Sequence, residues 1–247
     1  MDPWLIGVPA AATVSGAVVA FGAAHPRSQM FGPTLFRTAA PSRLAITFDD
    51  GPNPAVTPKL LDLLDRYQAK ATFFVIGRFV RQCAGLTREI ADRGHLLANH
   101  TETHRNLFFL SPRAVRQELE RCQDALRDAT GRVAGYFRPP FGFRNPWVLG
   151  TASALGMETV MWTHLPGDWK ARSGPWLVKR MEPVARRAAG PARPSTGAVV
   201  CLHDGAHRAL GGDRTHMLEA LEYWLPRWRE LGLKFVTISE AVRLPAR

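Results

Sequence analysis

From residue 44 onward the hydrophobic pattern of this chain switches repeatedly between two periods. Short apolar runs, such as LAITF at 44–48, ATFFVI at 71–76 and AVVCL at 198–202, alternate with longer amphipathic stretches. The short runs read as buried strands and the longer ones as helices. Further strands are expected at 95–98, 136–138, 158–163 and 234–238. Helices are expected at 57–68, 145–155, 176–188 and 215–231, with a helical segment after 76 that runs to Arg93. The helix at 57–68 carries Leu60, Leu61, Leu63 and Leu64. Another starts after Ser111, an N-cap residue followed by Pro112, and ends before Gly131. Repeated strand–helix alternation implies a parallel α/β fold, and about seven strands imply a barrel-like closure. A chain of 247 residues, 46% hydrophobic, is long enough for one substantial core.

Chemistry-bearing residues sit just past the expected strands: Asp49, His100, Arg138, Asp168 and His203. In a parallel α/β barrel the C-terminal strand ends share one rim, so residues distant in sequence converge there. Five motifs carry them. Thr47-Phe48-Asp49-Asp50-Gly51-Pro52 ends a strand with two carboxylates and a turn; taken alone it is equally the sequence of an Asp-capped turn. Asn99-His100-Thr101-Glu102-Thr103-His104 places two histidines four apart, which on a helical turn would face one metal, though surface histidines share that spacing. With the Asp pair they form a two-His, one-carboxylate set with open positions for water and substrate. An adjacent Asp could then act as base. Phe137-Arg138-Pro139-Pro140-Phe141-Gly142 fixes the backbone with two prolines, so an N–H in that loop could stabilise an oxyanion. Asp168-Trp169 and Leu202-His203-Asp204 complete the set, with Asp168 as a partner for His203.

Together and in this order, these motifs resemble the polysaccharide deacetylases of the NodB-homology type (carbohydrate esterase family four), over about residues 42–240. The resemblance implies a distorted (β/α) barrel, usually of seven parallel strands, and one divalent metal ion, commonly zinc, with cobalt or manganese in some members. It implies that Asp50, His100 and His104 bind the metal, that Asp49 is the general base and that His203 is the general acid. Arg138 would orient Asp49, and Asp168 would orient His203. Leu202 and Trp169 would line the pocket for the acetyl methyl group, and the Phe141 N–H would complete the oxyanion hole. The implied reaction is hydrolysis of an N-acetyl, or another small N-acyl, group on an amino sugar of a poly- or oligosaccharide. Two alternatives are a deformylase or deacetylase of a lipid-linked amino sugar and an inactive glycan-binding relative. This chain departs from the family in having Phe141 where Tyr is common, and in lacking an extra acidic residue before Asp168. His207, Asp213 and His216 have no assigned role and read as exposed loop residues.

The N-terminus differs from the rest. Residues 4–24 carry no charge and, as a helix, would rise roughly 30 Å, about a bilayer core. A membrane anchor, an export signal and an apolar helix lying on the domain compete, and the anchor is favoured because no basic residue precedes the stretch. Arg27, Arg37 and Arg43 follow it, which by the positive-inside rule puts the domain in the cytoplasm. The chain thus divides into an apolar segment (1–25), a Pro-containing linker (26–41) and a catalytic domain (42–247). The formal charge of +11 comes from dispersed basic residues without an aromatic-basic alternation, so no nucleic-acid partner is expected. The cysteines, Cys83, Cys122 and Cys201, match no zinc or redox spacing, and Cys201 reads as a small core residue.

Overall fold

The computed structural model describes residues 18–190 and 195–242. A short helix, α1 (18–24), leads into β1 (Arg37–Thr38) and β2 (Arg43–Gly51). Then come α2 (Thr57–Arg66), β3 (Thr72–Val75), α3 (Gly77–Gln82), α4 (Ala84–Asp92) and β4 (Leu96–Asn99). The second half runs α5 (Pro112–Thr130), β5 (Tyr136–Phe137), α6 (Pro146–Ala154), β6 (Glu158–Thr159), α7 (Gly174–Ala189), β7 (Gly197–His203), α8 (Thr215–Glu230), β8 (Lys234–Phe235) and α9 (Ile238–Ala241). The strands form one sheet in the order β1-β7-β2-β3-β4-β5-β6, with β8 paired to the start of β2. Every pairing is parallel except β1 with β7.

The sheet curls into a distorted barrel. Strand β6 is shorter than expected because the chain beyond it leaves regular pairing and closes the barrel through single bridges, Leu35 to Val160 and His164 to Val200. The helical segment after β3 also breaks, at Cys83, which sits at φ −129° and ψ 43°, outside the helical region.

Strand alternation sorts the side chains into two layers. Ile46 and Phe48 of β2, Phe73 and Val75 of β3, and Val200 and Leu202 of β7 point outward into the main core, against α2, α5, α7 and α8. The next residues in register, Ala45, Phe74 and Val199, point into the barrel with Ala98 and Val160. Helix ends follow the expected chemistry: Ser111 caps α5 through Ala114 N–H, Gly131 ends it at φ 72°, and Asn145 caps α6 through Val148 N–H.

Part of the expected linker at 26–41 joins the sheet. Leu35 exchanges backbone hydrogen bonds with Thr159 and Met161, and β1 pairs with β7. These backbone hydrogen bonds tie the segment to the barrel. Of the apolar stretch expected as an anchor, residues 1–17 lie outside the described residues. The described end, α1, packs on the domain: Ala23 is buried, and buried Arg144 donates to the carbonyls of Ala23, His25 and Ser28. Among the described residues no helix is long and apolar enough to cross a membrane.

Candidate active site

The strand ends deliver the expected residues to one rim. In β2, Thr47 and Asp49 face inward while Phe48 faces out, so the second carboxylate, Asp50, needs a backbone turn to reach the same side. That turn is visible as a positive φ of 71° at Asp50 and a register shift between Asp49 and Gly51. Thr101, His104 and Phe141 also hold positive φ, at 68°, 59° and 59°. Left-handed backbone at non-glycine residues costs about 1 kcal/mol or more, so its concentration at this rim marks a site held against local preference.

Arg138 anchors the centre. It is fully buried, with its guanidinium 4.0 Å over the Phe74 ring, and donates to Asp49 Oδ1 at 2.6 Å and to Thr47 Oγ1 at 2.8 Å. Its other N–H groups reach the carbonyls of Val160 and Met161. Asp49 therefore meets an immobile cation, while its Oδ2 takes a 3.4 Å bond from the Cys201 thiol and has His100 Nε2 3.9 Å away.

The two histidines do not lie on a helical turn, as the spacing suggested. Residues 100–104 form an irregular loop because its backbone groups are claimed from outside. Thr101 and Glu102 carbonyls accept from Gly77 and Arg78 at the start of α3, and Thr103 N–H donates to Glu118 of α5. The loop still brings both imidazoles to Asp50. His104 Nε2 lies 3.1 Å and His100 Nε2 3.5 Å from Asp50 Oδ1. His100 Nδ1 sits 2.8 Å from the Arg138 carbonyl, which can only accept, so Nδ1 carries a proton and Nε2 is the nitrogen that faces Asp50.

These residues fit a divalent cation. Asp50 Oδ1 and His104 Nδ1 are buried without a hydrogen-bond partner among the described residues. Metal–ligand bonds of about 2.1 Å at tetrahedral angles put neighbouring donor atoms about 3.4 Å apart, close to the spacing here. Burial pushes the Asp50 carboxyl up, but the surrounding imidazoles, His100 first, hold it well below the usual carboxylate range. Burial pushes His104 down to about 3, leaving it neutral.

A second cluster, Asp49, Cys201 and His203, is also compact, but its protonation is wrong for a metal. Burial raises the Cys201 thiol well above its usual value, so it stays protonated. His203 is pushed up to about 9: burial opposes its charge, but Asp168 outweighs it, with smaller help from Asp50 and Asp49. Asp168 Oδ1 lies 2.9 Å from His203 Nδ1, and Oδ2 accepts the His203 backbone N–H at 2.7 Å. Asp168 thus fixes the ring and its charge together, leaving Nε2 as the free proton donor.

Both clusters open into one cavity of about 490 Å³ whose walls include Trp162, Leu165, Trp169 and Phe141. Trp169 packs edge-on against His203, with centroids 5.0 Å apart. Leu202 does not line this cavity. It is fully buried in the outer core, because it precedes inward-facing His203 by one residue on β7 and must point the other way. Its neighbour Cys201, with Leu165 and Trp162, forms that wall instead. Cys201 and Thr47 could have been found by stepping two residues back along their strands from His203 and Asp49. His207, read as an exposed loop residue, reaches Asp50 with Nδ1 3.6 Å from Oδ2, and no periodicity marks it.

Residues 37–160 match the family described as polysaccharide deacetylase. A peptidoglycan-N-acetylglucosamine deacetylase of Bacillus cereus is 36% identical over 208 residues, covering 81% of this chain and 88% of that protein. A chitooligosaccharide deacetylase of Azorhizobium caulinodans is 34% identical over 198 residues, covering 77% of this chain and 90% of that protein. Among solved structures, a peptidoglycan N-acetylglucosamine deacetylase bound to an N-oxidanyl-benzamide superposes with a TM-score of 0.76 at 27% identity, over 85% of this chain and 92% of that one. A family 4 pseudoenzyme from Bacillus anthracis superposes with a TM-score of 0.73 at 25% identity, over 85% of this chain and 69% of that one.

Proposed function

The chain belongs to the polysaccharide deacetylase family, and from that premise we propose that it hydrolyses N-acetyl groups on glucosamine residues of a glycan such as peptidoglycan or a chitooligosaccharide. One observation carries the reading: a carboxylate with two imidazole nitrogens within 3.5 Å of it, an Arg-held carboxylate and an Asp-held imidazolium all face one cavity. An inactive relative would have no need to keep all three.

Asp50, His100 and His104 hold one divalent ion, zinc by preference for this two-His, one-carboxylate set. When bound, the ion supplies a Lewis acid that polarises the acyl carbonyl and makes water more acidic. Asp49 is the base. Its Oδ1 is occupied by Arg138, which leaves Oδ2, with its weak 3.4 Å bond from the Cys201 thiol, to take a proton from the attacking water. The developing oxyanion is met by the Phe141 N–H, which the left-handed backbone turns out of the local hydrogen bonds that Gly142 and Phe143 make to Pro139 and Pro140. One such donor is worth about 3 kcal/mol of barrier. An amine leaves poorly as an anion, so the His203 imidazolium delivers its Nε2 proton to the sugar nitrogen.

The test is acetate release by the full chain from N-acetylglucosamine oligomers and peptidoglycan fragments, with zinc, cobalt or manganese and with chelator. Chelator-sensitive acetate release is expected. Asp49→Asn should keep the metal and lose at least about 100-fold in rate, whereas His100→Ala should lose metal and rate together. No acetate from a folded, metal-loaded protein on any of these glycans would overturn the reading.

A further inference from the structure

Two arginines, Arg208 and Arg214, line the cavity and take no part in the reaction proposed above. Both belong to the loop that joins β7 to α8. That loop is pinned to the site. Gly205 lets it pass, since a Cβ there would collide with the Asp50 carbonyl. The His207 N–H donates to Asp50 Oδ2 at 3.3 Å, and its carbonyl accepts from Arg78. Ala209 N–H then closes a turn onto the Ala206 carbonyl at 3.1 Å, with His207 and Arg208 at its two central positions. A fixed backbone thus presents Arg208, exposed, at the edge of the cavity.

Neither guanidinium is paired with a carboxylate. Arg208 has no hydrogen bond, ion pair or ring contact among the described residues. Arg214 donates to the carbonyls of Gly205 at 2.8 Å and Asp213 at 3.3 Å, while the Asp213 carboxylate is taken by the N–H and hydroxyl of Thr215. On the helices, by contrast, exposed arginines find carboxylates, as Arg66 does with Glu222 and Arg116 with Glu120. The carboxylates of the cavity floor are committed elsewhere, Asp49 to Arg138 and Asp50 to the imidazoles. The residues that follow His104 and Trp169 of the cavity wall are Arg105 and Lys170, both exposed, which adds positive charge beside the opening. A neutral sugar polymer offers these cations nothing that water does not. A carboxylate next to the acetamido sugar would meet the Arg208 fork as a bidentate pair.

We propose that Arg208, supported by Arg214, forms an anion subsite at the cavity edge that selects a glycan bearing a carboxylate beside the acetamido sugar over a neutral N-acetylglucosamine polymer. This rests on the reading that the cavity takes an N-acetylated glycan. The carboxylate can belong to the sugar, as in the lactyl ether of N-acetylmuramic acid, or to a peptide carried on it. Complementary charge of this kind sets which substrate is held and leaves the chemistry to the floor of the cavity.

The test measures acetate release by the zinc-loaded full chain from two pairs of glycans. One pair is an alternating N-acetylglucosamine and N-acetylmuramic acid glycan with its lactyl carboxylates free and with them amidated. The other is the same glycan carrying stem peptides, with their carboxylates free and amidated. In at least one pair the charged form should exceed the amidated form in kcat/KM by at least about tenfold, mainly through KM, and the ratio should shrink as salt is added. The pair that shows it says whether the sugar's own carboxylate or the peptide's meets Arg208. Arg208→Gln should bring that ratio close to one, and Arg208→Lys should restore part of it. Arg208 has no partner to lose, so both variants should melt at the wild-type temperature. A wild-type ratio near one in both pairs, or a ratio that Arg208→Gln leaves unchanged, overturns the subsite. Acetate from none of these glycans, nor from a neutral chitooligosaccharide, is instead a failure of the deacetylase reading. The dissociation constants of the charged and amidated glycans, measured by calorimetry on the same proteins, then decide the subsite by the same ratio.

Discussion

At the scale of single residues, position on a strand decides what each side chain does. Asp49 and His203 are paired in register on β2 and β7, and both face inward. Their partners differ: Arg138 holds Asp49 through a 2.6 Å ion pair, and Asp168 is the charge that raises His203 most. The rate should therefore fall on the basic side as His203 loses its proton, near pH 9. Asp168→Asn removes the largest charge that raises His203, so this limb should move to lower pH in a kcat/KM profile. An unmoved limb would mean that another group sets it. The sign for stability follows from the same shift. The raised pKa gives stability that is fully present below the ordinary value of 6.5 and lost as pH rises through about 9. The same positional logic separates Leu202 from the site. Leu202→Ala should cost about 2–5 kcal/mol in denaturant unfolding as a core cavity, with KM unchanged in the fraction still folded. A raised KM would return Leu202 to the pocket.

At the scale of elements, loops rather than helices or strands set the finest geometry. The segment 100–104 was legible as a ligand pair, but not as a loop. Its shape comes from α3 and α5, which claim its backbone through Gly77, Arg78 and Glu118. The segment joining α1 to β1 shows the same dependence. Arg144, buried without a carboxylate partner among the described residues, bonds the carbonyls of Ala23, His25, Ser28 and Gly142. One guanidinium thus ties the N-terminal segment to the turn that carries Phe141. Arg144→Met should destabilise the protein by about 2 kcal/mol, since charge-assisted bonds are lost and buried carbonyls are left unpaired. It should also expose residues 18–28 to limited proteolysis while the barrel persists. Unchanged cleavage in that segment would show that Arg144 does not hold it.

At the scale of the whole molecule, the barrel brings carboxylates and imidazoles together at a cost that a cation relieves. Asp50 Oδ1 is buried without a hydrogen-bond partner among the described residues, with His104 Nε2 3.1 Å and His100 Nε2 3.5 Å away, an arrangement that a bound cation would satisfy. A ligand that binds only the folded state stabilises it by mass action. At a free zinc concentration 100 times its Kd the protein should gain about 2.7 kcal/mol, read as a raised melting temperature that a chelator reverses. His100→Ala should abolish the gain. A melting temperature indifferent to metal would argue that no ion occupies the site.

The amino-acid sequence by itself determined the strand–helix alternation, the parallel barrel and the five motifs at its rim. These are local: hydrophobic period fixes the element, and in a parallel barrel a strand's C-terminal end fixes the face. It also determined the caps at Ser111 and Gly131, which act within one turn of helix. Only the tertiary structure decided that Leu35 and residues 37–38 of the expected linker pair with the barrel, that Cys201 rather than Leu202 faces the cavity, and that His207 reaches Asp50. The first depends on hydrogen bonds between segments more than 100 residues apart, such as Leu35 to Thr159. The second turns on a single step of strand register, which reverses every side chain. The third depends on a loop whose path is set by the missing Cβ of Gly205 against the Asp50 carbonyl, a contact between distant segments that no pattern along the chain encodes.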